Sequence, residues 1–166
     1  MIDSNFIKNS KLSIQNVSRE TLDELNKYGL SIIEKNKEIN LISESTEKSI
    51  NTRHIVDSAQ TIDFIDKNDV KICTDLGSGA GLPGIVLAIL MKPKKPEFKV
   101  IFYEKSYHKS NFLKEISKKF KLNTEINQKN IFEQKDLRTD IIISRAFKPL
   151  PVIFEIASTN FRKFKY

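Results

Sequence analysis

The clearest chemistry in the sequence is a glycine-rich stretch, Asp75-Leu76-Gly77-Ser78-Gly79-Ala80-Gly81. Glycines at a turn between a strand and a helix let the backbone approach a ligand closely, because no side chain stands in the way. Dinucleotide-binding loops follow the pattern G-x-G-x-x-G, but Leu82 takes the place of the third glycine here. The spacing G-x-G-x-G after an acidic residue is typical of S-adenosylmethionine (SAM) sites. Asp75 is then expected to reach the ammonium group of SAM, and a tight turn without a ligand is the alternative.

A second acidic residue lies where the ribose of such a ligand would be bound. Glu104 ends the second predicted strand, one helix and one strand beyond Gly77. A carboxylate there can accept hydrogen bonds from both ribose hydroxyls, whereas the simpler interpretation is a solvated strand end. Asn130 follows the third predicted strand, and its side chain either pairs with an adenine edge or stabilises a turn.

The elements that must position these residues alternate between strand and helix, which is typical of a doubly wound parallel sheet in an α/β fold. Strands are predicted at 70–74, 98–103, 123–127 and 140–144, and helices at 84–91, 106–120 and 150–159. Residues 161–166 could begin a fifth strand. A sheet of this kind has about six or seven strands, so the C-terminal strands are predicted to be missing.

The first 66 residues carry helical rather than strand patterns. One helix is predicted at 19–37 with Ser18 as its N-cap, and a second helical stretch at 49–66 follows a break at 40–43. We therefore divide the chain into an N-terminal helical extension, residues 1–66, which packs on a SAM-binding domain, residues 67–166.

Charge is distributed unevenly along the chain, whose net charge is +7. Residues 1–104 hold 14 Lys+Arg and 15 Asp+Glu, whereas residues 105–166 hold 14 Lys+Arg and 6 Asp+Glu. The basic last third suggests a polyanion partner such as nucleic acid, although lysine could simply be the habitual surface residue.

Other global features exclude several classes of protein. Cys73 is the only cysteine, so neither an internal disulfide nor a cysteine-based metal site is expected. No apolar run approaches the roughly 20 residues of a membrane span, and no secretory signal pattern begins the chain. A cytoplasmic monomer without metal or membrane partners is expected.

Four segments occur in a specific order: Asn40-Leu41-Ile42, then Arg53-His54-Ile55-Val56-Asp57-Ser58, then the glycine loop, then Ser144-Arg145-Ala146-Phe147. Together they resemble the bacterial 16S rRNA (guanine-N7)-methyltransferase G family, also called glucose-inhibited division protein B. The resemblance implies a Rossmann-like methyltransferase that uses SAM to methylate N7 of a guanosine in 16S rRNA, either free or in an assembling small subunit.

The resemblance also implies SAM contacts from Gly77, Leu82, Asn130, Ile131 and Arg145, with the middle three acting through their backbones. The full predicted site consists of Asp75, Gly77, Gly79, Gly81, Leu82, Glu104, Asn130, Ile131 and Arg145. Guanine N7 has a free lone pair, so no general base is required and no catalytic residue is named. Alignment of the reacting atoms can supply the catalysis.

Some alternatives stay open at this point. A degenerate SAM- or RNA-binding relative without activity is one, and a nucleotide-dependent oxidoreductase, disfavoured by Leu82, is another. The segment from Arg53 to Ser58 is expected either to pack over the glycine loop and close the pocket or to form an ordinary surface pair between Arg53 and Asp57. Arg145 contacts the ligand or forms a surface ion pair.

Overall fold

The computed structural model describes residues 17–67 and 69–163. Its strands are β1 (Ile72–Leu76), β2 (Lys99–Tyr103), β3 (Thr124–Asn127), β4 (Leu137–Arg138), β5 (Ile141–Ile143) and β6 (Phe161–Lys163). The main sheet has the order β3-β2-β1-β5, and all of its pairs are parallel. The α/β class and the parallel sheet predicted from the alternation of elements are confirmed.

The strand order reverses at β1, which decides where a ligand can bind. The chain runs outward from β1 to β2 and β3, and then crosses to β5 on the other side of β1. Asp75 is level with Phe102 of β2 and with Ile143 of β5, so the three strands end close together. In open parallel sheets the crevice beyond such a reversal is the usual ligand site.

The helices are α1 (Arg19–Asn36), α2 (Glu44–Glu47), α3 (Asp57–Ala59), α4 (Ile62–Lys67), α5 (Gly84–Met91), α6 (Tyr107–Lys119) and α7 (Leu150–Asn160). α5 has the predicted bounds, and all eight of its residues are buried. An evenly apolar helix is expected where the helix packs between other elements. α1 and α6 begin at serine N-caps, where Ser18 Oγ accepts a hydrogen bond from the Thr21 amide and Ser106 Oγ from the Lys109 amide.

The helical stretch predicted at 49–66 is not one continuous α-helix. A π-helical segment, Asn51–Val56, precedes α3, and a turn separates α3 from α4. Ile50 and Ile55 are both buried although they are five residues apart. An α-helix would turn these two side chains away from each other, whereas the wider i→i+5 turn lets both face the core.

One apolar cluster joins the N-terminal helices to the sheet. It contains Tyr28 and Ile32 of α1, Ile55 of the π-helical segment, Ile85 of α5 and Val100 of β2. The buried core therefore crosses the proposed boundary between residues 66 and 67, and the division into two parts stays a prediction. Within the described residues, no helix has both the length and the apolar character required to cross a membrane.

The strand begun at Phe161 pairs with β4 in a separate two-stranded sheet, while residues 164–166 of the predicted fifth strand lie outside the described residues. The short β4 was not predicted. Beside this pair, the buried Asn160 donates through Nδ2 to the carbonyls of Ile131 (2.7 Å) and Gln134 (2.6 Å). This end of the described chain thereby anchors the 3-10 turn Ile131–Glu133 that follows β3.

Candidate functional site

A cavity of about 610 Å³ lies at the carboxyl ends of the central strands. Its wall combines the glycine loop, the end of β2, the turn after β3, the segment after β5 and residues 41–43. The predicted site residues on this wall are Gly77, Gly79, Leu82, Glu104, Asn130, Ile131 and Arg145. Asp75 and Gly81 do not line it. Residues that lie far apart in sequence therefore meet around one space.

Two glycines of the loop are required by both backbone and space. Gly77 and Gly81 have positive φ angles of 66° and 93°, which L side chains rarely adopt. A Cβ on Gly77 would lie 2.8 Å from Cε2 of Phe147 and closer still to two other ring carbons. A Cβ on Gly81 would lie 2.8 Å from Leu113 and closer still to Ile85, in the core beneath the loop. The loop thus lets the Phe147 ring pack directly on its backbone.

Asp75 supports the loop from below and is fully buried. Its Oδ2 accepts a hydrogen bond from the Gly84 amide at 3.0 Å, while Oδ1 has no partner among the described residues. Burial raises the pKa of Asp75 to about 7, although the Gly84 hydrogen bond opposes this shift. The structure therefore places Asp75 where it joins β1 to the start of α5, beneath the cavity wall and not on it. Its contact with the ammonium group of SAM stays a prediction.

Glu104 does reach the cavity wall and is held in a single orientation. Its Oε2 accepts from the Gly79 amide at 2.9 Å, and its Oε1 accepts from the Ser106 amide at 2.8 Å. An ionised carboxylate has about four acceptor positions, so both oxygens can still accept from a ligand. This arrangement presents a fixed double acceptor, which is what a ribose diol would require.

The side chain of Asn130 is engaged in its own turn. Its Oδ1 accepts from the Phe132 amide at 3.3 Å, and its Nδ2 donates to Glu133 at 2.9 Å. Of the two sequence-based alternatives, the structure has the turn contact. Ile131 is buried at the base of the same turn. Any recognition of a base edge by this turn would therefore use backbone groups.

Arg145 connects two of the sequence motifs that the chain separates by about 90 residues. Its Nη2 lies 2.8 Å from Nδ1 of His54, and its Nη1 donates to the carbonyl of Arg53 and to Asp57 at 3.4 Å each. Asp57 thus pairs with Arg145. Arg145 forms the ion pair that the sequence offered as one interpretation, and it also lines the cavity. His54 also lines the cavity, so the segment from Arg53 to Ser58 contributes one side chain to its wall, and the closing of the pocket by this segment stays a prediction.

These contacts determine the tautomer of His54. A guanidinium can only donate, so Nδ1 of His54 must accept from Arg145. Nε2 then carries the proton and donates to Thr46 Oγ1 at 2.8 Å. Burial, and next the positive charge of Arg145, lower the pKa of His54, while Asp57 opposes them. His54 is therefore neutral at pH 7 and holds Arg145 in place.

Protonation of His54 is expected to break this contact. The folded-state pKa of His54 lies below the ordinary histidine value of 6.5, so the stabilisation is present above pH 6.5 and is lost as pH falls through the lowered pKa. In an NMR titration of the two histidines, one signal should have a midpoint below pH 6.5, and this signal should be absent in His54→Gln. The glutamine amide can accept from Arg145 and donate to Thr46 at every pH. A midpoint for His54 at or above 6.5 would contradict this assignment.

The cavity wall is strongly basic. Among the residues that the structure describes, Arg145 and four lysines line it, while Glu104 is its only acidic residue. The lysines are Lys105, Lys109, Lys129 and Lys148. None of them forms a salt bridge within the described part of the chain. In the same part no His, Cys, Asp and Glu side chains group in a way that could hold a metal ion.

Sequence reasoning assigned no role to two aromatic residues that line the cavity, Phe132 and Phe147. Phe147 belongs to the S-R-A-F segment, and its position four residues after the end of β5 is the available signal. Phe132 follows the predicted contact Ile131, but nothing in the sequence indicated which of the neighbouring side chains faces the cavity.

Comparisons with known proteins agree with one another. The family model described as rRNA small subunit methyltransferase G matches residues 21–165. The ribosomal RNA small subunit methyltransferase G of Pelagibacter ubique is 50% identical over 156 residues, which cover 93% of this chain and 73% of the relative. The protein of the same name from Cereibacter sphaeroides is 35% identical over 155 residues, covering 93% of this chain and 74% of the relative.

A solved structure is similar in fold. The O-methyltransferase from Bacillus cereus, determined in complex with SAH, has a TM-score of 0.54 and 18% sequence identity. The match covers 87% of this chain and 64% of that chain. At this identity the likeness concerns the fold alone, and it agrees with the Rossmann-like sheet expected from the motifs.

Proposed function

Because the chain belongs to the rRNA small subunit methyltransferase G family, we propose that it transfers the methyl group of SAM to N7 of a guanosine in 16S rRNA. The observation that carries the proposal is the cavity in which the glycine loop, the fixed carboxylate of Glu104 and the anchored Arg145 meet. A ligand with a ribose diol and an amino-acid end fits this set of groups.

Each part of SAM has a suitable counterpart on the wall. The two free acceptor positions of Glu104 suit the ribose hydroxyls, and Gly79 leaves the loop open beside them, since a Cβ there would meet nothing closer than 3.9 Å. Leu82, Asn130 and Ile131 border the cavity where backbone groups are available to the rest of the ligand. The guanidinium of Arg145 can pair with the carboxylate of the methionine end.

The chemistry requires little from the side chains. When bound, SAM would supply an electrophilic methyl group: the lone pair of guanine N7 forms the new N–C bond as the S–C bond breaks. The electron pair of that bond stays on the sulfur of S-adenosylhomocysteine, and guanine N7 has no proton to lose. Glu104 and Arg145 therefore need only to hold their partners in line for the transfer. His54, with one ring nitrogen accepting from Arg145 and the other donating to Thr46, is committed to positioning and is not a general base.

The lysines around the cavity support an RNA substrate. SAM has a single carboxylate, so Lys105, Lys109, Lys129 and Lys148 exceed what that ligand needs. Lysines that form no salt bridge with the described residues suit the phosphates of RNA, which they position without reading sequence. The partner is then 16S rRNA or the assembling small subunit, on which the protein acts as a cytoplasmic monomer.

The test combines a binding measurement with a transfer assay. Isothermal titration with S-adenosylhomocysteine should show binding by the wild type and none by Gly77→Asp, whose new side chain would collide with the Phe147 ring. The wild type should then transfer radiolabel from SAM to unmethylated 16S rRNA or small subunits. Mass analysis of the digested RNA should identify 7-methylguanosine.

Circular dichroism would verify that both proteins are folded. A folded wild type that does not bind S-adenosylhomocysteine would contradict the SAM site. Binding without methyl transfer to either substrate would contradict the enzymatic function and would identify a degenerate relative.

A further inference from the structure

Phe132 is a large apolar side chain that remains 45% exposed at the rim of the cavity. The turn that carries it is held firmly. Its amide donates to Asn130 Oδ1, its neighbour Ile131 is buried, and Asn160 donates to carbonyls on both sides of it. A rigid turn thus presents an aromatic face that the protein core does not use.

Phe147, Lys148 and Lys129 lie around this face. The ring of Phe147 lies 6.4 Å from the ring of Phe132, centroid to centroid, with the planes tilted by 38°. Phe147 is half-buried against the apolar cluster of Leu76 and Tyr103, so it is fixed from behind. Lys148 Nζ lies 6.0 Å from the centroid of the Phe132 ring. Lys129, three residues before Phe132, lines the same rim.

A fixed, exposed aromatic ring between lysines is suited to a nucleobase and its phosphates. Aromatic side chains in RNA-binding proteins stack on unpaired bases, and adjacent lysines contact the backbone. Phe132 lies at the rim, where an RNA chain can reach it, whereas the acceptors for the ribose of SAM lie on Glu104. No phosphate of SAM would explain Lys129 and Lys148, because SAM has none.

We infer that Phe132 is the stacking surface for the guanine base that enters the cavity, with Lys129 and Lys148 holding the phosphates beside that base. The inference rests on the proposed function and specifies its substrate subsite. A base must leave its helix or loop stack before its N7 can reach a methyl group in a cavity. The Phe132 face compensates for part of the stacking that the guanine then loses.

The first experiment compares Phe132→Leu with Phe132→Tyr and with Phe154→Leu. Leucine keeps apolar bulk but removes the aromatic face, and tyrosine keeps that face. Phe154 is the matched control, because it is 64% exposed on α7 and does not line the cavity. Stacking on one base is worth roughly 5- to 150-fold in affinity, so the KM for unmethylated 16S rRNA or small subunits should rise by at least about 5-fold in Phe132→Leu and in neither of the other two variants.

Isothermal titration with S-adenosylhomocysteine distinguishes a contact of Phe132 with the RNA base from a contact with the adenine of SAM. The affinity of Phe132→Leu for S-adenosylhomocysteine should stay within about 2-fold of the wild type, because the inferred contact is made by the RNA base. A parallel loss of S-adenosylhomocysteine affinity would overturn the inference, since Phe132 would then stack on the adenine of SAM. Equal KM values in Phe132→Leu and Phe154→Leu would overturn it as well.

A second readout does not depend on methyl transfer. With S-adenosylhomocysteine saturating, guanosine 5′-monophosphate is added and saturation-transfer NMR is recorded on the H8 proton of guanine, with ribose 5-phosphate as the control compound. Transfer to H8 is expected in the wild type, Phe132→Tyr and Phe154→Leu, and its loss in Phe132→Leu. Undiminished transfer in Phe132→Leu, or none in the wild type, would overturn the stacking site even if the methyl-transfer assay succeeds.

Discussion

Gly81→Ala is expected to lower the free energy of unfolding by roughly 2–4 kcal/mol, because it combines strained backbone with overpacking. The φ angle of 93° disfavours any L side chain. The new methyl group would lie 2.8 Å from Leu113 Cδ2, 3.2 Å from Tyr28 Oη and closer still to Ile85. Tyr28 Oη also donates to the Ala80 carbonyl at 2.8 Å, so the collision would disturb the contact between α1 and the loop.

Gly79→Ala is the matched control for this prediction. Gly79 also has a positive φ, 55°, but a methyl group there would meet no heavy atom closer than 3.9 Å. Backbone strain alone should cost about 1 kcal/mol, since the alanine also reduces the freedom of the unfolded chain. Urea denaturation of both variants measures the difference. Equal losses of stability in the two variants would contradict the prediction, because the core beneath Gly81 would then accommodate the methyl group without a loss of unfolding free energy.

Asp75 is expected to make the protein less stable as pH rises from 4 to 7. The unfolded carboxyl loses its proton near 3.8, whereas the folded one keeps it until about pH 7. The unfolded state therefore binds fewer protons between these values, and stability falls with rising pH by up to about 4 kcal/mol from this group. Above pH 7 the contribution no longer changes.

The variant Asp75→Asn should remove this pH dependence. The amide carbonyl can still accept from Gly84, and the side chain stays neutral at every pH. The difference in unfolding free energy between the variant and the wild type is measured by urea denaturation from pH 4 to pH 8, so that other titrating groups, such as His54, cancel. We expect the unfolding free energy of the variant to increase relative to that of the wild type as the pH rises to 7. A constant difference would contradict the raised pKa of Asp75.

Much of the α/β framework follows from local patterns. The apolar run of residues 84–91 predicts α5 without error, and Ser18 marks the start of α1 because a serine oxygen satisfies an amide that the first turn leaves free. Strand positions were predicted to within two residues for β1, β2 and β3. These features depend on residue types near one another in sequence, so the sequence alone determines them.

The spacing of the glycines in the sequence corresponds to the backbone conformation of the loop. Positive φ angles at Gly77, Gly79 and Gly81 favour residues without a Cβ, and the glycines at these positions are visible in the sequence. The ordered motifs alone indicate the family, and the family comparison confirms it. The ligand contacts of the individual site residues stay predictions.

Only the tertiary structure decided which side chains face the cavity and what they contact there. Asp75 turns beneath the loop, because its carboxylate accepts from the start of α5. Arg145 meets His54 across about 90 residues of chain, and Phe132 remains exposed while Ile131 beside it is buried. Such contacts depend on the order of strands and the packing of helices, which join distant segments. Local periodicity contains no information about which distant segments those will be.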